Sequence, residues 1–223
     1  SGFDATQRKE IETIIRQYIM DNPSIVFEAA DKHQANQQQK ADDDAKKVLK
    51  EKAKELFENS NYAVLGNKKA KVPFVEFFDY NCGYCKQAYA DLVKTTDEDK
   101  NIKIVLVDTP ILGPTSLAAA KWAIAAGKLG KYVEFHAALM SFQGPKDDEN
   151  LAKLAKDVGL NPDEVKARAG KEDIQKQIDD NMALFSALGL SGTPGFAAPD
   201  RVIRGAVGPD VLKQIAKDIM DKK

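Results

Sequence analysis

Both cysteines of this 223-residue chain lie in a single C-x-x-C motif, Cys82-Gly83-Tyr84-Cys85. A bridge across four residues closes almost no loop, so the chain cannot be a disulfide scaffold and its fold must come from a hydrophobic core. A near-continuous apolar run, 72–78, comes shortly before the motif and is typical of a strand buried on both faces. We therefore predict a central strand at 72–78, followed by a helix that opens at the cysteine pair.

The remaining patterns place this strand in an α/β fold. A second buried-type strand at 102–107 follows the helix, and this order implies a parallel strand pair with a crossover helix. Residues from about 113 to 188 carry helical spacing throughout. We also predict a strand at 63–65, a hairpin at 196–198 and 202–203, and a last helix from Gly208-Pro209.

The position of the cysteine pair favours redox chemistry, because a C-x-x-C between a strand and a helix is the arrangement of a thioredoxin-like centre. It places the first sulfur at a helix N-terminus, where backbone N–H groups and the helix dipole stabilise a thiolate. We predict that Cys82 is the exposed nucleophile and Cys85 the shielded resolving thiol. Gly83 and Tyr84 are expected to tune the thiolate.

Metal binding is the main alternative for two neighbouring thiols. A structural zinc site needs four ligands, and the chain offers only His33 and His136 as further histidines, each isolated. We therefore predict neither a structural zinc nor any cofactor, and interpret both histidines as surface or core-edge residues. Copper(I) stays open, because two adjacent thiolates are soft ligands that suit it.

The N-terminal segment predicts an amphipathic helix that associates with another copy of itself. Asp4 and Gln7 have capping-box spacing, and Asn22-Pro23 ends the helix. One apolar stripe runs along it, formed by Ile11, Ile14, Ile15, Tyr18 and Ile19. The segment is too small to bury this stripe alone, so self-association is the simplest prediction.

A polar stretch separates this segment from the rest of the chain. From Gln34 to Lys47 the apolar signal is lost, and the residues are compatible with either a solvated helix or a flexible linker. We predict a boundary near residue 40, with an N-terminal oligomerisation module at 1–40 and a catalytic domain at 41–223.

The charge balance and hydropathy exclude several functions. The 33 basic and 34 acidic side chains give a net charge of -1, so nucleic acid is not an expected partner. No apolar run approaches the roughly 20 residues of a membrane span. Ser1-Gly2-Phe3 leads directly into a polar helix, so we expect no signal peptide in this chain. This leaves open whether a signal peptide was removed upstream.

The segment from Phe74 to Cys85, with the sequence FVEFFDYNCGYC, resembles the active-site segment of bacterial Dsb-type thiol–disulfide oxidoreductases. It is most similar to the suppressor-of-copper-sensitivity protein C group, and the stretch ending Asp21-Asn22-Pro23 resembles that group's N-terminal region. The resemblance covers roughly 60–222 and the N-terminal helices. It implies a thioredoxin fold with a helical domain inserted at about 113–188, a homotrimer, a periplasmic location and a membrane thiol reductase as partner.

Two further positions match the motifs of this family. Thr193-Pro194 matches its cis-proline loop, beside which the family binds substrate; the alternative is an ordinary trans turn. Glu76 matches a buried acid that relays a proton to or from the resolving thiol. The alternative for Glu76 is a solvent-facing side chain on a strand edge.

These observations lead to one main functional hypothesis and two alternatives. The first is a disulfide isomerase that reshuffles the bonds of misfolded client proteins through a mixed disulfide on Cys82. The second is a dithiol oxidase that donates its disulfide to folding clients. The third is a copper(I)-binding protein in copper tolerance, which the name of the resembling group also suggests.

Overall fold

A computed structural model describes residues 2–222, which fall into two compact units, Ser1–Asp43 and Asp44–Lys223. Ser1 and Lys223, the outer limits of the two predicted domains, lie outside the described residues. No helix in the described range is long and apolar enough to span a bilayer.

The first unit is helical. Helix α1 covers Ala5–Asp21, and the predicted capping box is confirmed: Asp4 accepts hydrogen bonds at its start, while Gln7 accepts one from the Asp4 backbone N–H. Helix α2, Ser24–Glu51, begins directly after Pro23. The sequence allowed either a solvated helix or a flexible linker at residues 34–47. These residues lie within α2, so the structure shows the helix.

The second unit is built on a five-stranded sheet with the order β1-β3-β2-β4-β5. The strands are β1 Ala63–Gly66, β2 Val72–Phe78, β3 Ile102–Asp108, β4 Gly195–Ala198 and β5 Arg201–Arg204. The predicted parallel pairing of β2 with β3 and the antiparallel hairpin of β4 with β5 are both confirmed. β2 has a hydrogen-bonded neighbour on each side, and its side chains are buried on both faces of the sheet because a core cluster packs against each face.

Helices cover the sheet and form the predicted insertion. They are α3 Ala53–Phe57, α4 Gly83–Glu98, α5 Pro114–Lys128, α6 Tyr132–Ser141, α7 Asp148–Asp157, α8 Pro162–Ala169, α9 Glu172–Ala187 and α10 Pro209–Asp221. Helix α4 is the crossover between β2 and β3, and α5 to α9 form the insertion between β3 and β4. Proline at the first position of α5, α8 and α10 suits a helix start, because its missing N–H would have no partner there.

Alternate residues of β2 pack into two separate parts of the core. Phe74 and Phe78 belong to a large cluster that also contains both cysteines. Val75 and Phe77 point to the opposite face, where they join a cluster with Phe185 of α9. Full burial of each such side chain contributes about 1.5–3 kcal/mol, so β2 is the strand that fixes the position of the cysteine motif.

Candidate active site

Cys82 is the N-cap residue of α4. Its Sγ accepts a hydrogen bond from the Cys85 backbone N–H at 3.3 Å, and its own N–H donates to the Asp79 carbonyl at 3.0 Å. The sulfur therefore lies where the free N–H groups and dipole of α4 favour negative charge. This is the geometry that the sequence predicts for an attacking thiolate.

The prediction that Cys82 is exposed is wrong, because only 6% of the residue is accessible. Its thiol donates a hydrogen bond to the Thr193 carbonyl at 3.2 Å, and that loop covers the sulfur. Cys85 is fully buried, as predicted, whereas Tyr84 is 69% exposed and Gly83 is also exposed. The accessible part of the motif is thus the turn between the two cysteines.

The Thr193–Pro194 peptide bond is cis, as the sequence analysis predicts. Pro194 is buried and Thr193 is half-buried at the point where the chain enters β4. The loop brings a backbone carbonyl into contact with the Cys82 thiol from a position 111 residues further along the chain.

Glu76 lies in the middle of β2, opposite Leu106 of β3 and Phe196 of β4, and is 1% exposed. This position excludes the alternative of a side chain on a strand edge. Its Oε1 has no hydrogen-bond partner among residues 2–222, and burial raises the pKa of the carboxyl to about 8. The group therefore holds its proton near neutral pH and can give it up at a small cost in free energy.

Burial is also the main reason why the pKa of the Cys85 thiol is raised. The hydrogen bond with Cys82 and the charge of Glu76 raise this pKa further. A thiol of this kind does not ionise in water near neutral pH, so it needs a nearby proton acceptor before it can attack. Glu76 is the buried carboxyl whose charge acts on Cys85. The structure thus brings Glu76, Cys85, Cys82 and the Thr193 loop into one site.

Asp79 is an anchoring residue that the sequence analysis missed. It is 1% exposed and its carboxylate accepts three hydrogen bonds: from the Asn81 N–H at 2.7 Å, the Ser116 hydroxyl at 2.7 Å and the Leu112 N–H at 2.9 Å. These bonds tie the loop before Cys82 to the start of the helical insertion. The only sequence signal was an acid directly after a buried strand.

His136 corrects a second prediction. The sequence predicts a position at the surface or the edge of the core, yet the residue is fully buried, with its Nδ1 3.0 Å from the Tyr80 hydroxyl. Aromatic rings surround it on several sides, those of Phe78, Tyr80, Tyr89 and Tyr132. Burial lowers its pKa to about 3, so the imidazole is neutral. His33 is exposed on α2, as predicted.

A second buried acid, Asp108, lies at the end of β3. The Tyr132 hydroxyl donates to its Oδ2 at 2.5 Å, and burial raises the pKa of the carboxyl to about 7. Asp108 lies opposite Phe78 of β2, and Glu76, not Asp108, is the acid whose charge contributes most to raising the pKa of Cys85. No group of three or more potential metal ligands is found in the described part of the chain.

The sequence matches two protein families over separate stretches. Residues 74–217 match the DSBA-like thioredoxin domain. Residues 7–40 match the N-terminal domain of the copper resistance protein ScsC. The two matches together span the N-terminal helices, the cysteine motif, the helical insertion and the cis-proline loop.

Solved structures agree with this assignment. A thioredoxin-like oxidoreductase from Silicibacter pomeroyi is 38% identical, with a TM-score of 0.72, over 76% of this chain and 98% of its own. Proteus mirabilis ScsC, in a transitional conformation, is 28% identical, with a TM-score of 0.72, over 100% of this chain and 99% of its own.

Curated relatives include disulfide bond formation protein D of Bacillus subtilis, which is 27% identical over 71% of this chain and 78% of its own length. A Na(+)/H(+) antiporter, NhaA 1 of Salinispora arenicola, is 28% identical over 67% of this chain, which spans only 23% of that protein. The shared segment is therefore a module that also occurs within longer proteins.

Proposed function

The chain belongs to the DSBA-like thioredoxin family and is a thiol–disulfide oxidoreductase, and we propose that it works as a disulfide isomerase on misfolded client proteins. Cys82 is the nucleophile of this proposal, Cys85 the resolving thiol and Glu76 the proton acceptor. Thr193, Pro194, Gly83 and Tyr84 form the surface on which the client lies.

In the proposed reaction the Cys82 thiolate attacks one sulfur of a client disulfide. A Cys82–client mixed disulfide forms, and the other client sulfur leaves as a thiolate. When a different client thiolate attacks that mixed disulfide, Cys82 is released as a thiolate and the client bond has moved without net oxidation. The centre therefore has to be reduced at the start of each cycle.

Cys85 provides an exit when the client does not rearrange. Once Glu76 has given up its own proton, which its pKa of about 8 makes a small cost, its carboxylate takes the Cys85 proton. The Cys85 thiolate then attacks the Cys82 sulfur, and the client leaves as a thiolate, reduced by two electrons. The centre is then a Cys82–Cys85 disulfide, which a thiol reductase must reduce again. We propose a membrane thiol reductase for this step and the periplasm as the compartment, because client disulfides persist in oxidising compartments.

The observation that carries the isomerase proposal is the apolar stripe of α1. Ile14 is 67% exposed, Tyr18 is 59% exposed, and Ile15 is also mostly exposed. Water-exposed apolar side chains in a row favour association with another copy, and this stretch lies within the match to the ScsC N-terminal domain. A trimer built through 1–40 would hold several Cys82 centres around one client.

The two directions of exchange can be compared on one client protein. We expect the reduced enzyme to restore activity to a client with scrambled disulfides faster than the oxidised enzyme restores it to the reduced client. The measurement is client activity against time, with oxygen excluded and at equal enzyme concentration. Efficient oxidation of the reduced client with no gain from the scrambled one would contradict the isomerase and support the dithiol oxidase.

A copper role is the second candidate, favoured by the name of the N-terminal family and by the two neighbouring thiols. Digonal thiolate coordination is a chemistry that suits Cu(I). Titration of the reduced protein with Cu(I) against a competing chelator tests it. Binding of one ion that is lost in Cys82→Ser would support the copper role, and no binding below micromolar free copper would exclude it.

A further inference from the structure

Lys146 is a buried lysine that takes part in no ion pair within residues 2–222. The residue is 2% exposed, and its Nζ lies 5.7 Å from the centre of the Phe142 ring. Lys86, on α4, contacts the same residue, and its Nζ donates a hydrogen bond to the Phe142 carbonyl at 2.6 Å. Two ammonium groups therefore meet around a single residue at the end of α6.

The two cations are poorly compensated. Burial and the neighbouring Lys86 charge lower the pKa of Lys146 to about 8, and Asp79 is the acid whose charge opposes this. Three hydrogen bonds already engage the Asp79 carboxylate. Because a buried charge is costly without a partner, this arrangement is most stable when an additional anion is bound.

A groove of about 410 Å³ lies next to Lys86, between α4 and the end of α6, and Lys146 is not part of its lining. Its lining includes Gly83, Lys86, Tyr89, Met140 and Gln143. Gly83 directly follows Cys82, and the Lys86 N–H donates to the Cys82 carbonyl at 3.2 Å. The groove therefore begins at the residue next to Cys82 and has the Lys86 side chain on its wall.

We propose that Lys86 binds a carboxylate of the disulfide substrate in this groove and that the neighbouring charge of Lys146 adds to the attraction, so that Cys82 reacts preferentially with anionic disulfides. This inference rests on the proposed role of Cys82 as nucleophile. The bond changes stay as described above: the Cys82–substrate S–S bond forms, the substrate S–S bond breaks and one thiolate leaves. The lysines exchange no electrons and only hold the carboxylate. The carboxylate is supplied either by a small disulfide or by an acidic client side chain near the cysteine.

Three small disulfides of similar size test the charge preference: dithiodipropionate, hydroxyethyl disulfide and cystamine, which are anionic, neutral and cationic. The measured quantity is the ratio of their rate constants with the reduced full-length protein. Because the same thiolate attacks all three, the ratio does not depend on how much of Cys82 is ionised. We expect the anionic-to-neutral ratio to fall about tenfold in Lys86→Gln, since a charge-assisted hydrogen bond is lost. The ratio should also fall by more than twofold in Lys146→Gln, since a neighbouring positive charge is lost.

Two controls separate this effect from unfolding and from net charge. Lys146→Met keeps the volume of a buried side chain and should lower the ratio as Lys146→Gln does. Lys94→Gln removes an exposed lysine of the same helix and should leave the ratio unchanged. A ratio in Lys86→Gln and Lys146→Gln that stays within twofold of the wild-type ratio would overturn the carboxylate site.

The source of the carboxylate is distinguished with peptide disulfides that carry aspartate or asparagine beside the cysteine. A preference of wild type for aspartate that the lysine variants lose supports a client side chain as the source. A preference confined to dithiodipropionate supports a small disulfide. If Cys82 reacts with none of these disulfides, the proposed function itself fails, whereas equal rates with all of them contradict only the carboxylate site.

Discussion

Replacement of Glu76 by glutamine should slow the attack of Cys85 on the mixed disulfide by about 100-fold near neutral pH, because general-base assistance is lost. The Cys85 thiol is fully buried and its pKa is raised, so little of it ionises without a neighbouring acceptor. The first step, attack by Cys82, should keep its rate. Ellman's reagent separates the two steps, because the first release of nitrothiobenzoate is bimolecular and the second is unimolecular.

The same substitution should change how stability depends on pH. The folded-state pKa of Glu76, about 8, lies above its ordinary value of 4.5, so the folded protein retains a proton that the unfolded chain has lost. The contribution of Glu76 to the free energy of unfolding is therefore complete below about pH 4.5 and is lost as the pH rises to about 8. Over this range the free energy of unfolding falls by up to about 1.4 kcal/mol per pH unit. Glu76→Gln should be more stable than wild type by about 2 kcal/mol or more at about pH 9.

Asp108→Asn is the matched control for both effects of Glu76→Gln. Asp108 is a buried acid on the neighbouring strand with a raised pKa, so its replacement should also flatten the pH dependence of the free energy of unfolding. Glu76 is the acid whose charge contributes most to raising the pKa of Cys85, so in Asp108→Asn the unimolecular release should keep its wild-type rate. Equal slowing in both variants would show that Glu76 has no special role in the second step.

A charge placed on the apolar stripe of α1 should separate isomerisation from simple exchange. In Ile15→Glu we expect the assembly to dissociate, because a carboxylate cannot be buried unpaired at low cost, and isomerase activity should fall about tenfold or more. The rate of Cys82 with a small disulfide should not change. Sedimentation and reactivation of a scrambled client, measured at equal chain concentration, check the two expectations.

Arg16→Glu is the control for that variant, because it adds the same side chain one position along the helix, outside the stripe. It should keep both the assembly and the isomerase activity. A wild-type chain that sediments as a monomer would contradict the oligomer, and full isomerase activity in dissociated Ile15→Glu would contradict its role. Deletion of residues 1–40 provides a second test with the same expected outcome.

The parts of the site formed by neighbouring residues could be predicted from the sequence. The apolar run of β2 predicted a strand buried on both faces, and this placed Glu76 in the core. The strand-to-helix position of the motif predicted that Cys82 begins α4. The cis bond before Pro194 depended on the cysteine pair and the family resemblance, since these residues alone favour an ordinary trans turn.

The parts that depend on distant contacts could not be predicted. Cys82 is covered by the Thr193 carbonyl, from a loop more than one hundred residues away, so its burial leaves no local pattern. His136 is enclosed by rings from β2, α4 and α6 and from the loop before Cys82, and no spacing within α6 indicates this. For residues 34–47, helix propensity supports a helix and polarity supports a flexible linker. The structure shows the helix.

The most direct test of the account is to map the adduct that Cys85→Ser forms with a client whose disulfides are scrambled. Without the resolving thiol, the mixed disulfide on Cys82 should persist, and mass spectrometry of the digested adduct should find the client joined to Cys82. Cys82→Ser should give no adduct and no reactivation of the client. An adduct through Cys85 in Cys82→Ser, or full client reactivation by that variant, would contradict the assignment of Cys82 as the nucleophile.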